Sequence, residues 1–125
     1  MTTGATRWLQ RAMAPELAQA AVVLINTPQS KESVHAAWDA AGLRVVTDGA
    51  ADRLAQTAPD LCPDLVIGDM DSACKSVVDS YAERGAEVAD LREDQDSTDL
   101  TKALNAAASR GFTRSIIMGE YMSVD

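Results

Sequence analysis

The sequence predicts an α/β protein built on an open, mostly parallel sheet with helices on both faces. Two observations predict this class. Short apolar runs rich in β-branched residues, typical of strands buried on both faces, alternate with segments whose apolar residues recur at helical spacing. Turn-forming residues separate the two kinds of segment. This alternation is typical of parallel strands joined by right-handed helical crossovers, and 125 residues suffice for one such domain with its own core.

The first part of the chain predicts a strand, a helix and a second strand. Ala21–Ile25 is a continuous apolar run that stops before Pro28. Lys31–Ala41 carries apolar residues at helical spacing, and Gly42 stands where a helix end favours a residue tolerant of positive φ. Leu43–Thr47 is again apolar and β-branched, so we expect a second strand that ends at the Asp-Gly pair that follows.

The remainder repeats the alternation, with glycines at several element ends. The predicted elements are a helix at 50–57, a strand at 64–67, a helix at about 75–84, a strand at about 87–91, a helix at about 97–110 and a strand at 115–118. The expected architecture is therefore a Rossmann-like three-layer sandwich.

Composition excludes several classes of function. A formal net charge of −8 argues against nucleic-acid binding, which needs clustered Lys and Arg. No apolar run approaches the roughly 20 residues that span a bilayer, so we expect no membrane partner. Cys62 and Cys74 form no zinc or disulfide pattern, which favours reduced thiols in the cytoplasm. The N-terminal stretch to about Ala14 contains Arg7 and Arg11 with no acid before Glu16, which gives it a faint similarity to a transit peptide, although it lacks the continuous apolar core of a signal peptide.

Two acid-rich segments carry the functional signal, and each follows a predicted strand. The first contains Asp69 and Asp71, and the second runs from Asp94 to Lys102. Because ligands bind at the carboxyl ends of parallel strands, we expect both segments at one edge of the sheet. Two carboxylates about 4 Å apart repel by roughly 4 kcal/mol at an effective dielectric near 20, so such a cluster needs a cation. Mg²⁺ prefers carboxylate, water and phosphate oxygens, which suits a polyphosphate substrate.

Simpler structural roles fit some of these acids. Asp71 with Ser72 would cap the following helix, and Asp96 would cap the next one with Asp99 in its first turn. The pair at 48–49 would then be an ordinary turn. These capping and turn roles do not explain Asp94 and Gln95. They also do not explain Lys102, which follows Asp99 by three residues and lies on the same helical face.

Asp48 and Arg53 extend the argument to the second strand. Asp48 follows that strand and reaches the same edge if the strands are parallel. Arg53 contacts a phosphate or pairs with acids on the surface beside Asp52, and the sequence favours neither alternative. Metal binding at this edge explains the acid cluster with the fewest assumptions.

Four ordered motifs resemble the thiamine pyrophosphokinase family, whose members transfer a pyrophosphoryl group from ATP to thiamine. The motifs are Asn26-Thr27-Pro28, Asp48-Gly49-Ala50-Ala51-Asp52-Arg53, Pro63-Asp64-Leu65-Val66-Ile67-Gly68-Asp69-Met70-Asp71-Ser72 and Asp94-Gln95-Asp96-Ser97-Thr98-Asp99-Leu100-Thr101-Lys102-Ala103-Leu104. The last two are the most specific, and the resemblance covers nearly all of the chain from about residue 20 to residue 118.

The resemblance implies roles for particular residues. Mg²⁺ would be held by Asp48, Asp69, Asp71 and Asp99. Catalysis would rest on Asp71, Gln95, Asp99 and Lys102. The nucleotide would be bound by Asp48, Gly49, Arg53, Gln95 and Lys102. ATP would be the co-substrate and thiamine the acceptor, with a homodimer expected for the full-length family member.

The sequence also departs from the family pattern. The turn after the second strand usually contains two glycines and an asparagine, where this chain has Ala50, Ala51 and Asp52. The family continues into a C-terminal β-sandwich domain, and we expect this domain to be missing here. The predicted organisation is an N-terminal extension at 1–19, a catalytic α/β domain at 20–118 and an unmatched tail at 119–125.

Three functions follow as hypotheses. The first is thiamine pyrophosphokinase activity, carried by a truncated chain. The second is a non-catalytic partner that dimerises with the full-length enzyme through an exposed sheet edge. The third is a pyrophosphokinase with another acceptor, such as a pterin, or an Asp-x-Asp sugar-nucleotide transferase.

Overall fold

Nine elements alternate along the described chain. The computed structural model describes residues 20–68, 74–91 and 98–118, with Asp99 described by its backbone alone. The elements are β1 (Ala21–Leu24), α1 (Lys31–Ala40), β2 (Leu43–Thr47), α2 (Asp48–Thr57), β3 (Leu65–Gly68), α3 (Lys75–Glu83), β4 (Glu87–Asp90), α4 (Asp99–Ser109) and β5 (Ser115–Met118). Each predicted strand and helix is therefore confirmed, with ends that differ by a few residues.

The five strands in these ranges form one sheet of order β4-β3-β2-β1-β5, and every pair is parallel. From β1 to β4 each crossover moves one place in the same direction, whereas the last one returns past β1 to place β5 on its far side. In a right-handed crossover the direction of the step along the sheet decides which face the connecting helix covers, so steps in opposite directions put their helices on opposite faces. Accordingly α1, α2 and α3 cover one face and α4 the other, which confirms the predicted three-layer fold.

Strand residues alternate between two cores, as the period of a pleated strand requires. Val22, Val46 and Val66 pack with side chains of α1, α2 and α3, which include Trp38 and Leu54. On the other face a second cluster surrounds the single helix α4, and its buried members are Val23, Val45, Leu65, Ile67 and Ala103. β1 and β3 are apolar and buried along their whole length, as expected for strands that are covered on both faces.

Local capping fixes where two of the helices begin. The hydroxyl of Ser30 accepts a hydrogen bond from the Ser33 amide at 3.1 Å and caps α1. The hydroxyl of Thr98 accepts one from the Thr101 amide at 3.1 Å and caps α4. Asp96 is therefore not the N-cap of α4, and that simpler role is wrong. Threonine at this position satisfies an amide that would otherwise lack a partner.

Two expectations about turns are also wrong. Asp48 and Gly49 are not an ordinary turn, because α2 begins at Asp48 directly after the extended residue Thr47. An acid in the first helical turn is favoured by the helix dipole. Gly42 does not supply a positive φ, since α1 ends through Ala41 in an extended conformation. Gly85, in contrast, follows α3 with a φ of 104°.

None of the described helices is both long enough and apolar enough to cross a bilayer.

Candidate active site

The four helices of the described residues all start at the same edge of the sheet. Each follows the carboxyl end of a strand, so its first amides and the positive end of its dipole lie at that edge. α2 reaches the edge from one face of the sheet and α4 from the other. An edge with these features attracts anions, and it is where ligands bind in open α/β sheets.

Asp48 lies buried at this edge against the end of β3. Its side chain is 0% exposed. A Cβ atom built on Gly68 would stand 2.5 Å from Asp48 Oδ1 and 2.7 Å from its Cγ. Gly68 has a φ of 151°, a value that residues with a side chain rarely adopt. Glycine is thus required at 68 both for its backbone conformation and for the space that the carboxylate occupies.

The ends of β3 and β4 are joined at the same edge. Gly68 lies opposite Asp90 in the register, and the Leu91 amide donates a hydrogen bond to the Gly68 carbonyl at 2.7 Å. The acid-rich segments 69–73 and 92–97 follow directly from these two residues. The chain therefore leaves the sheet into both segments from neighbouring backbone positions, beside the carboxylate of Asp48.

Asn26 connects the end of β1 to the first turns of α2. The Nε of Arg53 donates a hydrogen bond to Asn26 Oδ1 at 3.1 Å. A Cβ atom on Gly49 would lie 3.4 Å from both Cβ and Nδ2 of Asn26, so the start of α2 packs closely on this side chain. Arg53 is exposed, and its described hydrogen bond holds the guanidinium at the carboxyl edge.

Lys102 lies one turn into α4 and is only 4% exposed. Its neighbour Ala103 is buried in the core between α4 and the sheet. Lysine is seldom buried to this extent, because removing an ammonium group from water is costly unless it is paired. The side chain is thus held on the inner side of the helix, three residues after Asp99.

Three predicted site residues lie outside the described residues: Asp69, Asp71 and Gln95. For Asp99 the structure gives only the backbone, as the first residue of α4. Within ranges 20–68, 74–91 and 98–118 no three His, Cys, Asp or Glu side chains come together as a metal site. Asp48 is the predicted ligand whose carboxylate is described, and the complete magnesium set stays a prediction.

Two residues of the edge were absent from the predicted site. Asn26 follows β1 just as Asp48 follows β2, so its position in the sequence is a signal that could have placed it there. Asp52 was given no role in the predicted site and was noted as a departure from the family pattern. Its carboxylate accepts a hydrogen bond from the Cys74 amide, with Oδ1 at 2.9 Å and Oδ2 at 3.2 Å. Cys74 is the N-cap residue of α3, so Asp52 fixes the start of that helix from α2 by accepting the amide of its N-cap residue.

The two thiols differ in environment, and both are free. Cys74 is exposed, with its Sγ 3.1 Å from the hydroxyl of Ser76. Hydrogen bonds from the side chain and backbone of Ser76 lower the pKa of the Cys74 thiol. Burial raises the pKa of Cys62. The more acidic thiol therefore lies at the carboxyl edge, directly after segment 69–73.

Comparisons with known proteins agree on one family. The family model described as "Thiamin pyrophosphokinase, catalytic domain" matches residues 34–123. Thiamine pyrophosphokinase 1 of Oryza sativa subsp. japonica is 40% identical over a match that covers 54% of this chain and 31% of the plant protein. Thiamine pyrophosphokinase 1 of Arabidopsis thaliana is 36% identical, with 54% of this chain and 30% of that protein covered. The chain thus spans about a third of the length of these relatives.

Solved structures of two fungal enzymes share the fold. The thiamin pyrophosphokinase from Candida albicans superposes with a TM-score of 0.61 at 22% identity, covering 78% of this chain and 34% of that one. The yeast thiamin pyrophosphokinase gives 0.59 at 27% identity, covering 71% of this chain and 31% of that one. Because the family model matches more than half of this chain, the chain belongs to the family of thiamin pyrophosphokinase catalytic domains.

Proposed function

We propose that this chain provides the nucleotide-binding and catalytic part of a thiamine pyrophosphokinase, which transfers pyrophosphate from ATP to the hydroxyethyl oxygen of thiamine and releases AMP. One observation carries the proposal beyond family membership. The acid-rich segments 69–73 and 92–97 leave the sheet from Gly68 and Leu91, which share a hydrogen bond, beside the buried carboxylate of Asp48. Acids from three parts of the chain can therefore serve one ligand.

In this proposal Mg²⁺ is held by Asp48, Asp69, Asp71 and Asp99. The fit rests on the donor set, because carboxylate oxygens at strand ends are the protein ligands that Mg²⁺ prefers, with its other positions left to water and phosphate. When bound, the ion would offset negative charge on the phosphates of ATP. It would also relieve the repulsion among carboxylates that share one edge.

The remaining residues bind and orient the nucleotide. Lys102 supplies a cation from α4, and Gln95 lies in the segment that leads to that helix. Arg53 lies at the same edge through its hydrogen bond to Asn26. The amide of Gly49 is among the first four of α2, which have no partner within the helix and can donate to a phosphate oxygen.

These groups act mostly by positioning the nucleotide and the acceptor for the reaction. In pyrophosphoryl transfer the acceptor hydroxyl attacks the β-phosphorus in line with the departing AMP oxygen, and charge spreads over the phosphoryl oxygens. Asp71, Gln95, Asp99 and Lys102 are the proposed catalytic group, since each would hold the triphosphate or the metal in the geometry of attack. The N-termini of α2 and α4 at this edge add fixed positive partial charge.

Calorimetry tests the nucleotide-binding part of the proposal. ATP should bind only when Mg²⁺ is present, and D48N or D71N should weaken binding by about 10- to 100-fold, as expected for losing an interaction with a charged group. D79N is the matched control, because Asp79 is an exposed acid of α3 that pairs with Lys75 along its own helix. The proposal fails if D48N and D71N bind Mg·ATP as tightly as D79N does.

The acceptor needs a separate test. AMP release from Mg·ATP, followed with thiamine and then with a hydroxymethyl pterin, distinguishes the thiamine enzyme from the pterin alternative. Of the two acceptors, only thiamine should support the release of AMP. We also propose a homodimer for the full-length family member and a cytoplasmic location for this chain. The free thiols of Cys62 and Cys74 support a reducing compartment.

The sheet edges favour one second candidate, a non-catalytic partner that pairs with the full-length enzyme. Within the described residues β5 is an edge strand with the uncharged sequence Ser-Ile-Ile-Met, whereas the opposite edge strand β4 carries Glu87 and Asp90. Uncharged edge strands are templates for pairing with another chain. Size-exclusion chromatography that shows only monomer, alone and with a full-length relative, would rule this role out.

A further inference from the structure

Arg53 keeps its charge available at the carboxyl edge, because its described hydrogen-bond partner is neutral. Its Nε donates to Oδ1 of Asn26 at 3.1 Å, and an amide oxygen carries no net charge. Arg44 and Arg110, in contrast, each pair with a carboxylate. Within the described ranges no acid lies at ion-pairing distance from Arg53. Arg53 is exposed, and its two Nη amino groups can donate to an anion.

Asn26 lies on a turn that fixes where its amide points. The Thr27 amide donates to the Ile25 carbonyl at 2.8 Å, so the backbone turns tightly at Asn26. The Ile25 amide donates to the Met118 carbonyl at 3.3 Å, which ties this turn to β5. A Cβ atom on Gly49 would lie 3.4 Å from Cβ and Nδ2 of Asn26, so the side chain also packs on the first turn of α2. Both the backbone and the side chain of Asn26 are therefore restrained.

The side chain of Arg53 is seated against the core at its base. Together with residues of β1, α1 and α2, which include Leu24, Val34 and Leu54, it lines a cavity of about 10 Å³. This cavity has room for no more than about one water molecule, so it is not a ligand site itself. Because the side chain lies against packed residues and is bonded through Nε, it has little rotamer freedom left to lose when an anion binds.

We propose that Asn26 is a positioning residue for the nucleotide: its neutral oxygen accepts the Arg53 Nε hydrogen bond and so orients the Nη amino groups toward a phosphate oxygen without neutralising the guanidinium. The inference rests on the proposed function, which assigns Arg53 to the nucleotide. A carboxylate at position 26 would hold the same donor but would compete with the phosphate, because a hydrogen bond between two charged groups is stronger than one to a neutral amide. The proposal therefore depends on the amide being neutral.

N26D distinguishes this role from a purely structural one. Aspartate keeps the size and an acceptor oxygen of Asn26 and adds a negative charge. If Asn26 serves only the fold, N26D should bind the nucleotide as wild type does, since an ion pair with Arg53 would replace the hydrogen bond. If the neutral oxygen matters, N26D should bind more weakly while its urea midpoint stays at the wild-type value or higher. N105D is the matched control, because Asn105 is exposed in the second half of α4 and the same change there alters the net charge equally.

The first readout is the affinity for Mg·ATP by calorimetry. R53A should weaken binding by about 10- to 100-fold, N26D by about 10-fold, and N105D should leave the affinity unchanged. Adding N26A to R53A should cause no further loss, because Asn26 acts through that arginine. The proposal is overturned if N26D binds Mg·ATP as tightly as N105D does, or if the double variant binds more weakly than R53A alone.

Inorganic triphosphate with Mg²⁺ is the second probe, because it carries the phosphate groups without a nucleoside. If wild-type protein binds this probe but not Mg·ATP, and N26D weakens that binding, the orientation of Arg53 toward phosphate holds and the proposed function fails. If wild-type protein binds Mg·ATP and N26D equals N105D with both probes, the proposed function stands and the role of Asn26 is wrong. If wild-type protein binds neither probe, both proposals are wrong.

Discussion

Gly68→Ala is the sharpest single test of the packing at the carboxyl edge. The new methyl group would stand 2.5 Å from Oδ1 and 2.7 Å from Cγ of Asp48, closer than such atoms approach in folded proteins. Asp48 is fully buried at the start of α2, so its side chain has little room to move away. The backbone must also keep a φ of 151° with a side chain attached.

Two costs add at this position. A non-glycine residue in such a backbone region costs about 1 to 3 kcal/mol. Overpacking a rigid site costs about 1 to 3 kcal/mol more. Gly85→Ala isolates the first cost, because Gly85 has a φ of 104° and a Cβ atom there meets nothing within 4 Å. We therefore expect Gly68→Ala to lower the free energy of unfolding by about 1 to 3 kcal/mol more than Gly85→Ala does.

Urea unfolding followed by tryptophan fluorescence measures this difference, since Trp38 is 2% exposed and reports on loss of the core. Adding Asp48→Ala to Gly68→Ala completes a double-mutant cycle, which should show coupling if the carboxylate is the source of the clash. If Gly68→Ala proves no more damaging than Gly85→Ala, the close contact between residues 48 and 68 is wrong.

Two further predictions concern titratable groups. Burial raises the pKa of Tyr81 from its ordinary value of 10.0 to about 12, so the neutral phenol stabilises the fold. This contribution to the free energy of unfolding is complete below pH 10 and is lost as the pH rises to 12. The total loss is about 2 to 3 kcal/mol. Tyr81→Phe should therefore lose less stability than wild type over that range, as urea midpoints at several pH values will show. Hydrogen bonds from Ser76 lower the pKa of Cys74 while burial raises that of Cys62, so iodoacetamide at neutral pH should modify Cys74 first, as read by mass spectrometry. Ser76→Ala should move the alkylation profile of Cys74 to higher pH, and an unchanged profile would count against the hydrogen bond.

Most of the fold could be predicted because the relevant signals are local. Continuous apolar runs such as Ala21–Leu24 and helical spacing in Lys31–Ala40 each extend over only a few neighbouring residues. Helix starts were harder to predict, since several polar residues compete as caps. Thr98 caps α4 although acids stand nearby, and α2 begins at Asp48 with no turn before it.

In the candidate site, too, local features could be predicted and long-range contacts could not. The sequence pattern placed Asp48, Gly49 and Arg53 after β2, where the structure has them. It did not indicate that Asp52 binds Cys74 or that Arg53 binds Asn26, because these contacts join residues more than 20 positions apart. Their formation depends on which strands become neighbours.

By itself, the sequence determined the alternation of strands and helices, the acidic character of the carboxyl edge and the membership of a family that carries those motifs. The tertiary structure alone decided that the carboxylate of Asp48 lies against Gly68, that the Leu91 amide bonds to the Gly68 carbonyl and that Asp52 accepts the Cys74 amide. Hydrophobic periodicity acts over a few residues, whereas the strand order and crossovers that create these contacts arise only when the whole sheet packs.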